Sequence, residues 1–150
     1  MTNNNMYFVA NWKMHGNTAD IDRTKSVIKL TKLQKYKNNK IIYCPPYTLL
    51  KTFSDKIKNT KISIGAQNCH SNSNFGAFTG SINAKLIKSA GAKYIILGHS
   101  ENRKNGEVDS IINKKVHSAL NENLKIILCI GEKLSEKKKK HTYKVLKKQL

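Results

Sequence analysis

The sequence predicts an α/β fold built on a parallel sheet, and three observations carry that prediction. Short, near-continuous apolar runs recur along the chain, at Tyr7–Ala10, Lys40–Cys44, Lys61–Gly65, Tyr94–Leu97 and Lys125–Ile130. Stretches with helical spacing separate each run from the next. No linker-like segment divides the 150 residues, so they read as a single domain. Apolar runs without polar alternation mark strands covered on both faces. Strict alternation of strand and helix implies right-handed βαβ units.

The elements follow in order. After the first strand, Asn17 or Thr18 is placed to cap a helix carrying Ile21, Thr24, Val27, Ile28, Leu30 and Leu33. Pro45-Pro46 closes the second strand and opens a short helix through Leu49, Leu50 and Phe53. Asn83 is the expected cap of the helix through Leu86 and Ile87, Asp109 of the one through Ile112, Val116 and Leu120, and Ser135 of the last. Five strands do not close a parallel barrel, whose common form has eight. The chain is thus either an open five-stranded sheet or part of something longer, since "LSEKKKKHTYKVLKKQL" stops inside a helical pattern.

Composition excludes several classes. No apolar run is long enough to span a membrane. The N-terminal "MTNNNMYFVANWK" lacks the basic and apolar regions of a secretory leader. Cys44, Cys69 and Cys129 are odd in number, widely spaced and free of any CxxC, which argues against a disulfide framework or metal site. The expected setting is a reducing one, the cytoplasm. The net charge is +19, from 26 Lys and 2 Arg against 9 acidic residues. Lysines spread over every predicted helix, with one block at Lys137–Lys140 and no basic–aromatic interleaving. They read as solvated helix faces with nonspecific attraction for anions, not as a sequence-specific nucleic-acid reader.

Chemistry in a parallel α/β fold gathers beyond the carboxyl ends of the strands. Those ends carry "NWKMHGN", "AQNCH", "GHSENR" and "CIGEK". Taken singly, a lysine there is ordinarily solvated, a histidine structural, a glycine a turn residue and Cys129 a small apolar group. Together they place a Lys, a His, a Glu and two Asn on one rim.

Six segments give that rim a family resemblance: "NWKMHGN" (11–17), "CPPY" (44–47), "IGAQN" (64–68), "GAFTGSI" (76–82), "GAKYIILGHSENR" (91–103) and "LCIGE" (128–132). In order and spacing the chain resembles the N-terminal part of the triosephosphate isomerase family. The resemblance implies a (β/α)8 barrel, here about its first five βα units, and interconversion of dihydroxyacetone phosphate and glyceraldehyde 3-phosphate in glycolysis and gluconeogenesis. It implies that Asn11 and Lys13 contact substrate, that His99 is the electrophile polarising its carbonyl, and that Glu101 pairs with Lys13. Cys129 and Gly131-Glu132 match a structural segment. The N–H groups of Ser100 and Glu101, opening a short helix toward His99, would hold one ring nitrogen as acceptor and leave the other as donor.

The resemblance also implies a homodimer, made through the loop bearing Phe75, Thr79 and Gly80, and no metal or organic cofactor. Neither a membrane nor a specific nucleic acid is implied as partner. The family's base, a Glu at the end of the sixth strand, has no counterpart in these residues. Ser81 and Asn102 stand where the family usually has an acidic residue and an Arg at the subunit contact. An alternative expectation is a non-catalytic basic barrel remnant that binds anions or a partner chain.

Overall fold

A computed structural model describes residues 5–150; the first four residues of the stretch read above for a leader lie outside it. Five parallel strands form one sheet: β1 (Met6–Asn11), β2 (Asn39–Cys44), β3 (Ile62–Ala66), β4 (Tyr94–Leu97) and β5 (Lys125–Leu128). Each is hydrogen-bonded to its neighbour in sequence, in the order β1-β2-β3-β4-β5. The register brings the carboxyl ends to one side, with Asn11 opposite Cys44 and Leu97 opposite Leu128. The sheet curls into about half a barrel.

The helices are α1 (Lys25–Thr31), α2 (Leu50–Ile57), α3 (Ala84–Ser89), α4 (Ser100–Lys104), α5 (Asp109–Asn121), α6 (Leu134–Lys138) and α7 (Thr142–Gln149). Asn17 caps as expected, its side chain accepting from Ala19 N–H, but it opens a 3₁₀ turn at Thr18–Thr24 ahead of α1. Asn83 also caps as expected, accepting from Leu86 N–H at 2.9 Å. Two other cap assignments are corrected. Val108 precedes α5 without a side-chain cap, and Asp109 is the first helical residue, its carboxylate taken by Arg103 at 2.5 Å. At α6 the Glu136 carboxylate accepts from Lys133 N–H, so Ser135 is not the cap.

Two apolar layers flank the sheet. The outer one packs Ile62, Ile64, Ile95 and Leu97 against Leu50, Phe53, Ile87 and Ile112. On α2 the buried residues are Leu50, Phe53 and Ile57, one helical face. The inner layer is Ile42, Cys44, Tyr94 and Ile96, with Ile127 and Cys129 against it. Gly65 belongs to this inner face, where a Cβ would meet the Cys44 sulfur at 2.6 Å.

The expectation that every strand is covered on both faces holds best at the centre of the sheet. All four residues of β4 are buried, whereas Met6, Tyr7, Phe8 and Val9 of β1 are 40–58 % exposed. β5 is half-buried and ends at Leu128, two residues short of the sequence expectation. The reason is position: β1 and β5 are the edges of the sheet.

Candidate active site

The first strand delivers Asn11, Trp12 and Lys13 to the rim. Trp12 anchors the segment, its ring 5.4 Å from Phe53 and 6.0 Å from Tyr43. Lys13 follows with φ +54°, a left-handed conformation that costs a non-glycine residue roughly 1–2 kcal/mol. Three hydrogen bonds hold the turn. Trp12 N–H donates to Cys44 O at 3.0 Å, Lys13 N–H donates to Asn11 Oδ1 at 2.9 Å, and Gln67 Nε2 donates to Lys13 O at 2.8 Å. Gln67 Nε2 also donates to Cys44 O at 2.8 Å, so one amide ties together the exits of β1, β2 and β3.

The fourth strand delivers His99. Gly98, at φ +71°, makes the turn, and a Cβ there would lie 2.9 Å from Cys129 O. α4 then starts so that Glu101 N–H donates to His99 Nδ1 at 3.3 Å. With Nδ1 an acceptor, Nε2 carries the ring N–H. The expected pair of backbone donors reduces to that of Glu101.

Lys13 and Glu101 meet across the sheet at 2.7 Å, as the resemblance implied. The Lys13 hydrogen bond holds the Glu101 carboxyl below its ordinary range. A Glu101 oxygen also lies 3.5 Å from His99 Nδ1, but that nitrogen already accepts the Glu101 N–H. Asn11, Lys13, Gln67, His99 and Glu101 line one cleft of about 260 Å³, with Tyr47, Asn68 and Asn102 completing it. An ammonium, an imidazole N–H and several amides thus converge on a small polar space. That set suits an anionic, oxygen-rich ligand whose carbonyl is to be polarised. Among the described residues no group of three His, Cys, Asp or Glu side chains is placed to hold a metal ion.

Sequence reasoning gave Gln67 no role, although it stands in the quoted "AQNCH". It also missed the support beneath the rim. Lys115 and Glu107, both nearly buried, form an ion pair, and Lys115 Nζ donates to Asn68 Oδ1 at 3.0 Å. The signal was a lysine on the apolar face of α5, between Ile112 and Ala119. Arg103 braces the other side, donating to Gly98 O at 2.8 Å and to Asp109.

Phe75, Thr79 and Gly80 lie apart from the cleft, on the exposed tip of the loop after β3. The loop is internally braced: Asn83 Nδ2 donates to Asn74 O at 3.0 Å, and Phe78 stacks on His70 at 4.7 Å.

Residues 6–150 match the family model for triosephosphate isomerase. The chain is 39% identical over 145 residues to a triosephosphate isomerase of Alkaliphilus oremlandii, covering 93% of this chain and 56% of the relative. It is 40% identical over 143 residues to that of Dictyoglomus thermophilum, covering 94% and 56%. The crystal structure of the Bartonella henselae triosephosphate isomerase superimposes with a TM-score of 0.88 at 33% identity, covering 96% of this chain and 59% of that one. The chain spans a little over half the length of the curated relatives it matches.

Proposed function

Because the chain belongs to the triosephosphate isomerase family, we propose that it is the N-terminal portion of the barrel, one domain, of an enzyme interconverting dihydroxyacetone phosphate and glyceraldehyde 3-phosphate. The observation that carries this reading is the cleft in which His99, Lys13 and Glu101 converge. His99 Nε2–H donates to the carbonyl oxygen as it gains enediolate charge, and Lys13 supplies the positive charge beside it. Glu101 positions Lys13, and Asn11 contacts substrate. A carboxylate must remove the α-proton. Among the described residues Glu101 is the cleft's carboxylate, and Lys13 already holds it. These 150 residues therefore supply the electrophilic half of the site.

The experiment follows from that division. The 150-residue chain alone is expected to show no isomerase activity above background. Mixed with a separately made C-terminal half from a relative, it is expected to turn over substrate. His99→Ala or Lys13→Met in the N-terminal part should then remove the restored activity, by about 10²-fold or more. Undiminished turnover in both variants overturns the assignment.

Partners and compartment are part of the same proposal. The substrate is a phosphorylated triose, the complete protein is a homodimer joined through Phe75, Thr79 and Gly80, and it acts in the cytoplasm. The braced, apolar loop tip supports the dimer, and three free cysteines support a reducing compartment. Deleting residues 75–79 is expected to yield monomers by sedimentation; a deletion protein that stays dimeric contradicts the loop's role.

A further inference from the structure

The C-terminal helical pair carries a charge feature that the isomerase reading does not use. Between Lys133 and Lys148 the sequence holds eight lysines and a single carboxylate, Glu136. All eight lysines are exposed. Lysines 13, 25, 51, 56 and 115 each have a carboxylate within ion-pair distance. Among the described residues none of these eight does, which is also true of most other lysines of the chain; what sets these apart is their density, eight within sixteen residues. Glu136 is spent on the Lys133 N–H at 2.7 Å, and neighbouring Glu132 accepts from the Thr142 hydroxyl at 3.1 Å.

The platform under this charge is anchored. Gln149 clasps the exit of β5, accepting from Gly131 N–H at 2.8 Å and donating to Gly131 O at 3.0 Å. Lys140, at φ +58°, turns the chain between α6 and α7. Lys144 and Lys148 stand four residues apart on α7, a repulsive spacing for like charges. Lys133 sits at the amino end of α6, the wrong sign for the helix dipole. A bound polyanion relieves both of these charge conflicts at once.

We propose that residues 133–148 form a docking surface for single-stranded nucleic acid, bound without sequence preference. Lysines meet phosphates as point charges, and the absence of arginine from the patch removes the bidentate fork that reads guanine edges. Tyr143, 89 % exposed, lies beside Lys144 and one helical turn before Lys147, an aromatic among lysines that the sequence pattern did not register, and it offers the face on which an unstacked base rests. The same helix turns Val145 and Leu146 partly inward, so it lacks the continuous apolar stripe that an acidic membrane surface would require.

Fluorescence anisotropy of the purified protein with a labelled twenty-nucleotide thymidine strand, across a salt series, tests this. Two charge-matched variants are compared: Lys137, Lys138, Lys139 and Lys140 all to Gln, and Lys29, Lys32, Lys35 and Lys37 all to Gln. Both sets are exposed side chains, so both proteins should fold, as circular dichroism will show. The first variant is expected to lower the slope of log affinity against log salt by roughly 3, about 0.7 per lysine, and the second to leave it unchanged. Tyr143→Ala should weaken binding about tenfold at constant slope, and Tyr143→Phe should not. Equal losses in the two lysine variants would reduce the effect to net charge and overturn the proposal. So would tighter binding to a duplex of the same length, absence of binding at 100 mM salt, or binding confined to phosphatidylserine vesicles.

Discussion

Lys13 shows how a side chain of the cleft is held at the cost of backbone ease. Its left-handed conformation persists because Asn11, Gln67 and the Trp12 anchor each fix one part of the turn. The cysteines illustrate the opposite case, groups the fold silences. Burial pushes the Cys44 thiol up to about 12 and the Cys69 thiol up to about 11, while Cys129 is raised less and stays partly exposed. Alkylation at pH 8 should therefore modify Cys129 first and reach Cys44 and Cys69 only on unfolding; mass mapping of the labelled sites decides. The linkage has a definite sign. A native thiol pKa above the unfolded value favours the native state less as pH rises, because the unfolded chain releases its proton first. The stability difference between the protein and Cys44→Ala should shrink from pH 9 upward, toward about 12.

The exits of β1, β2, β3 and β4 each contribute to the cleft because parallel strands in sequential order bring their carboxyl ends together. β3 does so under a packing constraint. Gly65 sits against Cys44, Tyr94 and Ile42, and its first clash on gaining a methyl group is with a buried sulfur that has no room to move. Gly65→Ala should destabilise the protein by about 1–3 kcal/mol through overpacking of the inner layer. Urea denaturation is the check, and an unchanged midpoint would mean that this layer is loosely filled. α5 carries a different risk. Its Lys115 is buried for the sake of Glu107, and among the described residues the second Glu107 oxygen has no hydrogen-bond partner. Such a pair adds little net stability, because both charges lose their hydration, while Lys115 also orients Asn68 by donating to its Oδ1.

At the scale of the whole molecule, the two sheet edges dominate. Among the described residues, β1 presents an unpaired edge together with exposed Met6, Tyr7, Phe8 and Val9. Such an edge is a template for pairing with another chain, and the +19 charge opposes association only over the screening length of ~10 Å at 0.1 M salt. The 150-residue chain should self-associate at micromolar concentration, more so as salt rises. Phe8→Lys should reduce the association, since an edge charge blocks strand addition. A compact monomer in sedimentation velocity at high salt would contradict this.

By itself the sequence determined the number, order and type of the strands, the cap at Asn83, the choice of Asn17 or Thr18 for the first cap, the rim that bears Asn11, Lys13, His99 and Glu101, and the family. These are local signals: apolar runs, a side chain that closes on the next turn, short motifs in a fixed order. The tertiary structure alone decided what depends on residues far apart in the chain. Lys13 and Glu101 are 88 positions apart, and only the strand order and register bring them to 2.7 Å. Gln67 reads as one more loop amide until the exits of β1 and β2 stand beside it. Asp109 had the composition of a cap, but an arginine six residues earlier was the stronger partner for its charge. The apolar run at β1 looked like a covered strand because composition records how apolar a segment is. It does not record whether a neighbour stands beside it. Which strands form the edges is a property of the assembled sheet, set by pairing between segments that no local pattern connects.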